Sequence, residues 1–284
     1  YLGYGSGPYS LSIGSGVTVS GANGGYIYFG DNGANAGTIE AATAGREIVV
    51  NAWNTTDTWN NTGTLRANGG ILSLNDAWSS AGSSARIQLD SGTLFLGGSF
   101  STASFNTLVR PADADRGTLN LVGTLNNANA TLNLNGATGT LNSGGTIAGG
   151  TLAIDNASGG AFNTGYAGIS GSSFGGTNVA TLDNVRLSGS ATIANGGDLR
   201  VVGALTLDNG SVTLASDGNS TFLRGTSGAW SIAGNGSILF GGSHNAVRAS
   251  NYLGYGSGTY SLSIGSGLTV SGANGGYIYF GDNG

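Results

Sequence analysis

Few side chains in this sequence have the type and spacing to do chemistry. The most charged stretch is Arg110-Pro111-Ala112-Asp113-Ala114-Asp115-Arg116. Carboxylates as close as Asp113 and Asp115 can act as acid and base in polysaccharide cleavage, or as Ca²⁺ ligands. A solvated loop in which Arg and Asp neutralise one another is the simpler and favoured account. No third carboxylate or basic residue can be placed beside the pair. Asp217-Gly218-Asn219 and Asp31-Asn32-Gly33 look like fragments of calcium loops. Neither continues into an EF-hand pattern, and the nonapeptide calcium repeat is missing, so Asx turns are expected at both. His244 is the single histidine and lies in the loop-like run Gly241-Gly242-Ser243-His244-Asn245. A Ser-His-Asp relay would need it, yet there is no G-x-S-x-G elbow. The Gly-Ser-Gly clusters are not P-loops, since no helix follows them to hold a phosphate. Catalytic, metal-binding and cofactor-binding residues are therefore not expected.

The remaining chemistry is aromatic. Ten of the eleven tyrosines lie in two copies of one segment: Tyr1, Tyr4, Tyr9, Tyr26 and Tyr28, then Tyr252, Tyr255, Tyr260, Tyr277 and Tyr279. They suit either an aromatic ladder or plug in the core, or an exposed patch for a glycan or a neighbouring filament. Core packing is favoured, because alternation puts Tyr9 on the same face as Leu11 and Ile13. Trp53, Trp59 and Trp78 stand in a Thr/Asn-rich stretch and are expected to form an insertion off the main body, available for lateral contact.

What positions these residues is a repeat. Residues 1–33 recur at 252–284 with two changes, Pro8 to Thr259 and Val17 to Leu268. The chain thus reads as one unit over 1–251 and the start of a near-identical unit over 252–284, and tandem units stack along one axis. It opens inside a repeat and without an initiator Met, as expected for part of something longer. No boundary is expected inside the 251 residues, and the junction carries neither Pro nor a charge run.

Composition narrows the architecture. Charged residues are 8% of the chain, Gly fills 56 positions, all nine basic residues are Arg, and Glu40 and Glu47 are the only Glu. Such a chain is poorly equipped for helices. Although rich in Gly and Ser, it is 39% hydrophobic with a net charge of -5, which argues for folding rather than disorder. Without Cys or Met it has no disulfide, no thiolate metal site and no usual sulfur oxidation target. The acidic balance argues against nucleic acid, and no apolar run approaches a membrane span.

Short alternating stretches fill the chain: Tyr9–Ile13, Val17–Val19, Tyr26–Phe29, Glu47–Val50, Leu72–Leu74, Arg86–Leu89, Leu94–Leu96, Leu119–Leu121, Leu132–Leu134 and Leu152–Ile154, then Val185–Leu187, Leu205–Leu207, Val212–Leu214 and Ile238–Phe240. Gly, Asn, Asp and Ser separate them, so the fold is all-β. Gly-Thr-Leu or Gly-Thr-Ile recurs at Gly37, Gly63, Gly92, Gly117 and Gly139, at spacings of 26, 29, 25 and 22, with further copies at Gly123, Gly145 and Gly150 that break strict periodicity. Spacings in the twenties suit the coils of a parallel β-helix, or β-solenoid, with apolar residues stacked inside and Gly or Asn at the corners. A string of β-sandwiches is the competitor; its best support is a local hairpin over residues 205–214 around Asn209-Gly210.

Runs such as Gly117-Thr118-Leu119-Asn120-Leu121, Ala130-Thr131-Leu132-Asn133-Leu134-Asn135-Gly136 and Gly149-Gly150-Thr151-Leu152-Ala153-Ile154 resemble the stalk repeats of large bacterial surface proteins. The resemblance is to filamentous-haemagglutinin-like and autotransporter-passenger adhesins. It implies a right-handed parallel β-helix, secretion to the cell surface, length as a function, and adhesion or biofilm cohesion. The expected function is an extracellular structural fibre or stalk without catalysis. Its partners would be tandem copies end to end, with lateral bundling and a glycan or cell-surface ligand further expectations. The alternatives are an adhesin whose binding tip lies elsewhere and a β-helix enzyme acting on polysaccharide. At 20–25 residues per coil, 251 residues make roughly 10–13 coils.

Overall fold

The structure is a computed structural model that describes residues 1–5, 9–54, 56–111, 116–170, 172–243, 250–256 and 259–281. The chain winds as a β-solenoid of about 11 turns, 56% strand and 3% helix. It forms two compact units, residues 1–126 with 168–175, and residues 127–167 with 176–284.

In the first unit each turn lays three short strands on three faces. One face carries Gly25–Tyr28, Glu47–Asn51, Ile71–Leu74, Thr93–Leu96 and Thr118–Leu121, all parallel. Register puts Ile27, Val50, Leu74, Leu96 and Leu121 directly above one another. Each is buried to within a few per cent. An apolar side chain stacked on its counterpart one turn away contributes about 1.5–3 kcal/mol by burial. A second face runs through Ser12–Ile13, Gly33–Asn35, Thr58–Asn61, Ala77–Ser80, Ser99–Ser101 and Thr124–Asn126. The third holds Thr18–Ser20, Thr38–Ala41, Thr64–Ala67, Arg86–Leu89 and Leu108–Val109.

Trp59 and Trp78 are not on an insertion. Both lie in strands of the second face, pointing inward, and are almost fully buried. With Phe29 and Phe100 they make an internal stack, its successive ring centroids 5.3, 5.9 and 4.4 Å apart. Register places Trp78 on Trp59; Thr58 and Asn60 are the outward partners of that period-2 strand, while Asn61 points inward with Trp59. Beside this stack runs a buried polar row. The Asn35 amide donates to Asn61 Oδ1 at 2.8 Å, and Asn61 Nδ2 donates to Ser80 Oγ at 3.0 Å. These asparagines stand two residues before Gly37 and Gly63 and bond the carbonyls of those corners.

Ile71–Leu74 and Thr93–Leu96 are buried on both faces. Ser173 and Phe174 pack on the outer side of this sheet. The Ser173 N–H and hydroxyl both donate to Glu47 Oε2, and Ser73 donates to Glu47 Oε1. Phe174 meets Phe95 at 5.3 Å.

The second unit uses longer strands that bend around corners. Asp198–Ala215 is one strand of 18 residues. Its residues 204–215 pair in parallel with Gly228–Gly241. The 205–214 segment is therefore not a hairpin. Asn209 adopts a φ of 50° and the register shifts at Asp208/Gly210, turning the strand onto the next face instead of back on itself. In the same unit Val185, Leu205, Ile232 and Ile264 align, as do Leu132, Leu152, Leu187 and Leu207. Among the described residues four of the five non-glycine residues with positive φ are Asn, the side chain that best tolerates that region; the fifth is Asp76.

Candidate functional site

Most of the tyrosines are on the outer surface, not in the core. Along Gly25–Tyr28 the alternation points Ile27 inward and Tyr26 and Tyr28 outward. Tyr1 stacks on Tyr26 at 5.3 Å and on Tyr28 at 6.2 Å. The second copy repeats this, with Tyr252 stacked on Tyr277 at 5.4 Å and on Tyr279 at 6.5 Å. Outward ladders arise because parallel in-register pairing sets like residues above like on both sides of the strand. Tyr9, expected to point inward, is half-buried and leans on Trp53 instead.

In the first unit this cluster converges on Trp53. Tyr4, Tyr28 and Tyr9 meet its indole edge to face, at 5.0, 5.4 and 6.1 Å. Beside them opens a cleft of about 550 Å³, lined by Tyr28, Asn51, Trp53, Asn75, Asp76 and Ser99 among others. The cleft is held from behind by the internal stack. Trp59 Nε1 donates to the Asn75 carbonyl and Trp78 Nε1 to the Gly97 carbonyl, each at 3.0 Å. The two corners of the cleft floor are thus pinned by indoles that never reach solvent.

Asp76 is the unusual group in this cleft. Its φ is 60°, a conformation that costs an ordinary side chain about 1–2 kcal/mol. On the next turn Gly98 repeats the corner at φ 61°, and a Cβ there would overlap the Asp76 carbonyl oxygen. Burial pushes the Asp76 carboxyl above its ordinary range; the Ala52 N–H that it accepts opposes this, and Asp57 adds to it. Burial, with Tyr1 and Tyr26 close by, raises the Tyr28 hydroxyl, while Asn51 hydrogen-bonds it in opposition.

The second unit holds a charged cluster. Buried Asp198 accepts Arg224 Nε at 2.9 Å and Arg224 Nη2 at 2.6 Å, and Arg200 Nε at 3.0 Å. The hydrogen bond to Asp198 raises the Arg224 guanidinium above its ordinary value, against the effect of burial. Asp198→Ala is expected to destabilise this unit by about 1–2 kcal/mol. That is less than for a fully enclosed pair, because both guanidiniums keep access to water. Urea unfolding followed by the fluorescence of Trp230, in the same unit, measures it.

Asp113, Asp115 and His244 lie outside the described residues. Nearby, Arg110 donates to the Arg116 and Gly117 carbonyls, and burial together with Arg116 pushes its guanidinium down to about 10. Asp217 binds across turns, its carboxylate accepting the Ser243 N–H at 2.7 Å and the Ser243 hydroxyl at 2.8 Å. Asp31 accepts the Asn32 amide at 2.9 Å. Among the described residues no three His, Cys, Asp or Glu side chains gather to hold a metal, and no helix is long and apolar enough to cross a membrane.

Comparison with protein-family models, characterised proteins and solved structures found no match to this chain. The geometry therefore carries the functional argument. The chain is a tandem-repeat β-solenoid. Sequence reasoning missed the Trp53 cleft, because Asn51, Asn75 and Ser99 come from three successive turns. The spacing of Asn51 and Asn75, each at the end of an apolar run, is the signal that could have paired them.

Proposed function

We propose that this protein is an extracellular structural fibre, built by end-to-end continuation of its 251-residue unit. The observation that supports this reading is how the two copies of the repeated segment complement each other. Each makes the same internal pairings: Leu2 opposite Ile27 and Ser10 opposite Gly30 in one copy, Leu253 opposite Ile278 and Ser261 opposite Gly281 in the other. What differs is burial. Leu2 is 39% exposed and Leu253 is 0%. Ile27 and Phe29 are 3% and 0% exposed, whereas Ile278 and Phe280 are 42% and 45%. The turn preceding the second copy buries Leu253, and the turn following the first buries Ile27 and Phe29. In a tandem array both neighbours are present, so every one of these side chains is covered and the sheet edges are paired. Joining units then needs no interface beyond one more turn of solenoid.

The work of such a fibre is mechanical: stacked apolar ladders and inter-turn hydrogen bonds resist bending, with no catalysis. Secretion to a cell surface and a role in adhesion or biofilm cohesion are part of the same reading. They rest on the resemblance to surface-protein stalks. A second reading, a ligand-binding adhesin, is favoured by the half-exposed aromatic cleft at Trp53.

Electron cryo-microscopy of a protein with several units tests the fibre. About 11 turns in 284 residues put roughly ten in one unit, which at ~4.8 Å per turn advances it by roughly 48 Å. A layer line near ~4.8 Å along the axis and an axial repeat close to that value are expected. A beaded outline with a repeat about twice as long would overturn the reading.

A further inference from the structure

We propose that the cleft beside Trp53 is a saccharide-binding site, which takes a neutral sugar ring with its apolar face toward Trp53 and its hydroxyls toward Asn51, Asn75, Asp76 and Ser99.

The lining residues match the two sides of such a ring. A pyranose presents C–H faces that pack on an aromatic surface and a rim of hydroxyls that both donate and accept. Trp53 and Tyr28 supply the aromatic surface. Tyr4, Tyr9 and Tyr28 brace the indole edge-on, so Trp53 is ordered before any ligand arrives and little entropy is lost on binding. The polar side is mixed in the way hydroxyls require. Asp76 accepts only, the Asn51 and Asn75 amides donate and accept, and the Ser99 hydroxyl does both. Among the described residues the Asn75 amide has no hydrogen-bond partner of its own. About 550 Å³ suits one to three sugar rings, within the usual span of small-molecule sites.

A cation is the competing ligand, since aromatic rings and a carboxylate also hold quaternary ammonium groups. A built cation site would keep its carboxylate readily ionised. Here burial and the charge of Asp57 work the other way on Asp76, while the amides around it favour a neutral polar guest. The left-handed backbone at Asp76 is further support. Gly would be the relaxed choice at that corner, as it is at Gly98 one turn on, yet a side chain is kept at a conformational cost on a residue that lines the cleft. The site lies wholly within the first unit and does not rest on the fibre reading. If the fibre reading also holds, the site recurs once per 251 residues, and weak single affinities would add by multivalency.

The test is a titration of the full chain with cellohexaose, mannohexaose and chitohexaose, followed by tryptophan fluorescence and calorimetry. Trp59, Trp78 and Trp230 are buried, so a change in emission reports on Trp53. At least one hexasaccharide is expected to bind with a Kd of roughly 1 mM or below and to change the emission. Trp53→Ala should abolish the calorimetric signal. Asp76→Gly removes the carboxylate and with it the acceptor of the Ala52 N–H, a loss that the relaxed positive φ offsets in part, so it should stay folded with a modestly lower Tm and bind at least tenfold more weakly. The proposal is overturned if none of the three sugars binds, if either variant binds as tightly as wild type, or if tetramethylammonium displaces the sugar. Failure of this titration leaves the axial repeat untouched, and a failed repeat leaves this site untouched.

Discussion

Trp78→Ala is expected to lower the stability of the first unit by about 3–5 kcal/mol, the range for deleting a large buried aromatic. Trp78 is buried between Trp59, at 5.9 Å, and Phe100, at 4.4 Å. Truncation leaves a cavity with aromatic walls on two sides that neighbouring backbone cannot fill, because parallel pairing with Thr58–Asn61 fixes the distance between turns. It also removes the donor to the Gly97 carbonyl. Denaturant unfolding and amide exchange resolve the effect, with protection lost first along Thr58–Asn61 and Ala77–Ser80. Trp78→Phe keeps the stacking but not the hydrogen bond and should cost about 1–2 kcal/mol. Equal costs for the two variants would mean that the stack contributes little.

Asn61→Ala should cost a similar amount, roughly 3–4 kcal/mol, for a polar reason. Asn61 is completely buried. Its Oδ1 accepts from Asn35, and its Nδ2 donates to Ser80 Oγ at 3.0 Å and to the Gly63 carbonyl at 3.1 Å. Deleting the amide takes one hydrogen bond each from Asn35 and Ser80 on the neighbouring turns and from the Gly63 carbonyl, and buried polar groups that lose a partner cost about 1–3 kcal/mol. The row continues through Ser80 to Thr107 Oγ1 at 2.8 Å, so the damage should spread over three turns. As a contrast, Asn163→Ala removes a half-buried amide pair on the outer face of the sheet, where Asn163 donates to Asn142 at 3.3 Å. It should change stability by no more than about 0.5 kcal/mol. Were the two substitutions to cost the same, the buried row would be no more than a solvated one.

Both effects depend on stacking, and stacking explains what could be read from the chain alone. Gly-Thr-Leu at intervals in the twenties announced a coil, but its copies do not form one ladder. Thr38 faces Thr64 on one sheet, whereas Thr93 faces Thr118 on another. The tripeptide marks a corner followed by an inward Leu, a local requirement that arises on any face. The Asn two residues before Gly37 and Gly63 carried the more specific signal, since only a stacked amide can bond its own corner and the next turn together.

The tryptophans show the limit of local reading. Thr and Asn around Trp59 and Trp78 suggested a solvated excursion, yet Thr58 and Asn60 are only the outward half of a strand and Asn61 belongs to the buried polar row. The tyrosines failed in the opposite direction. Alternation sets Tyr9 beside Leu11 and Ile13 and so favours core packing, but Tyr9 is half-buried, and in the Tyr26–Phe29 run Ile27 and Phe29 hold the inward positions.

Residues 1–33 and their copy determined, without any coordinates, that the chain is a tandem repeat. Short alternating runs punctuated by Gly and Asn determined that it is all-β and coiled. Those properties follow from local backbone preference and from period, which a linear string contains in full. Tertiary structure alone decided which residue stands above which, because turn length varies and register is set by the whole stack. It decided that Trp59 and Trp78 lie inside, that Phe174 covers Phe95, and that Asn51, Asn75 and Ser99 line one cleft with Trp53. Contacts between successive turns join residues some twenty or more positions apart, and no local pattern encodes them.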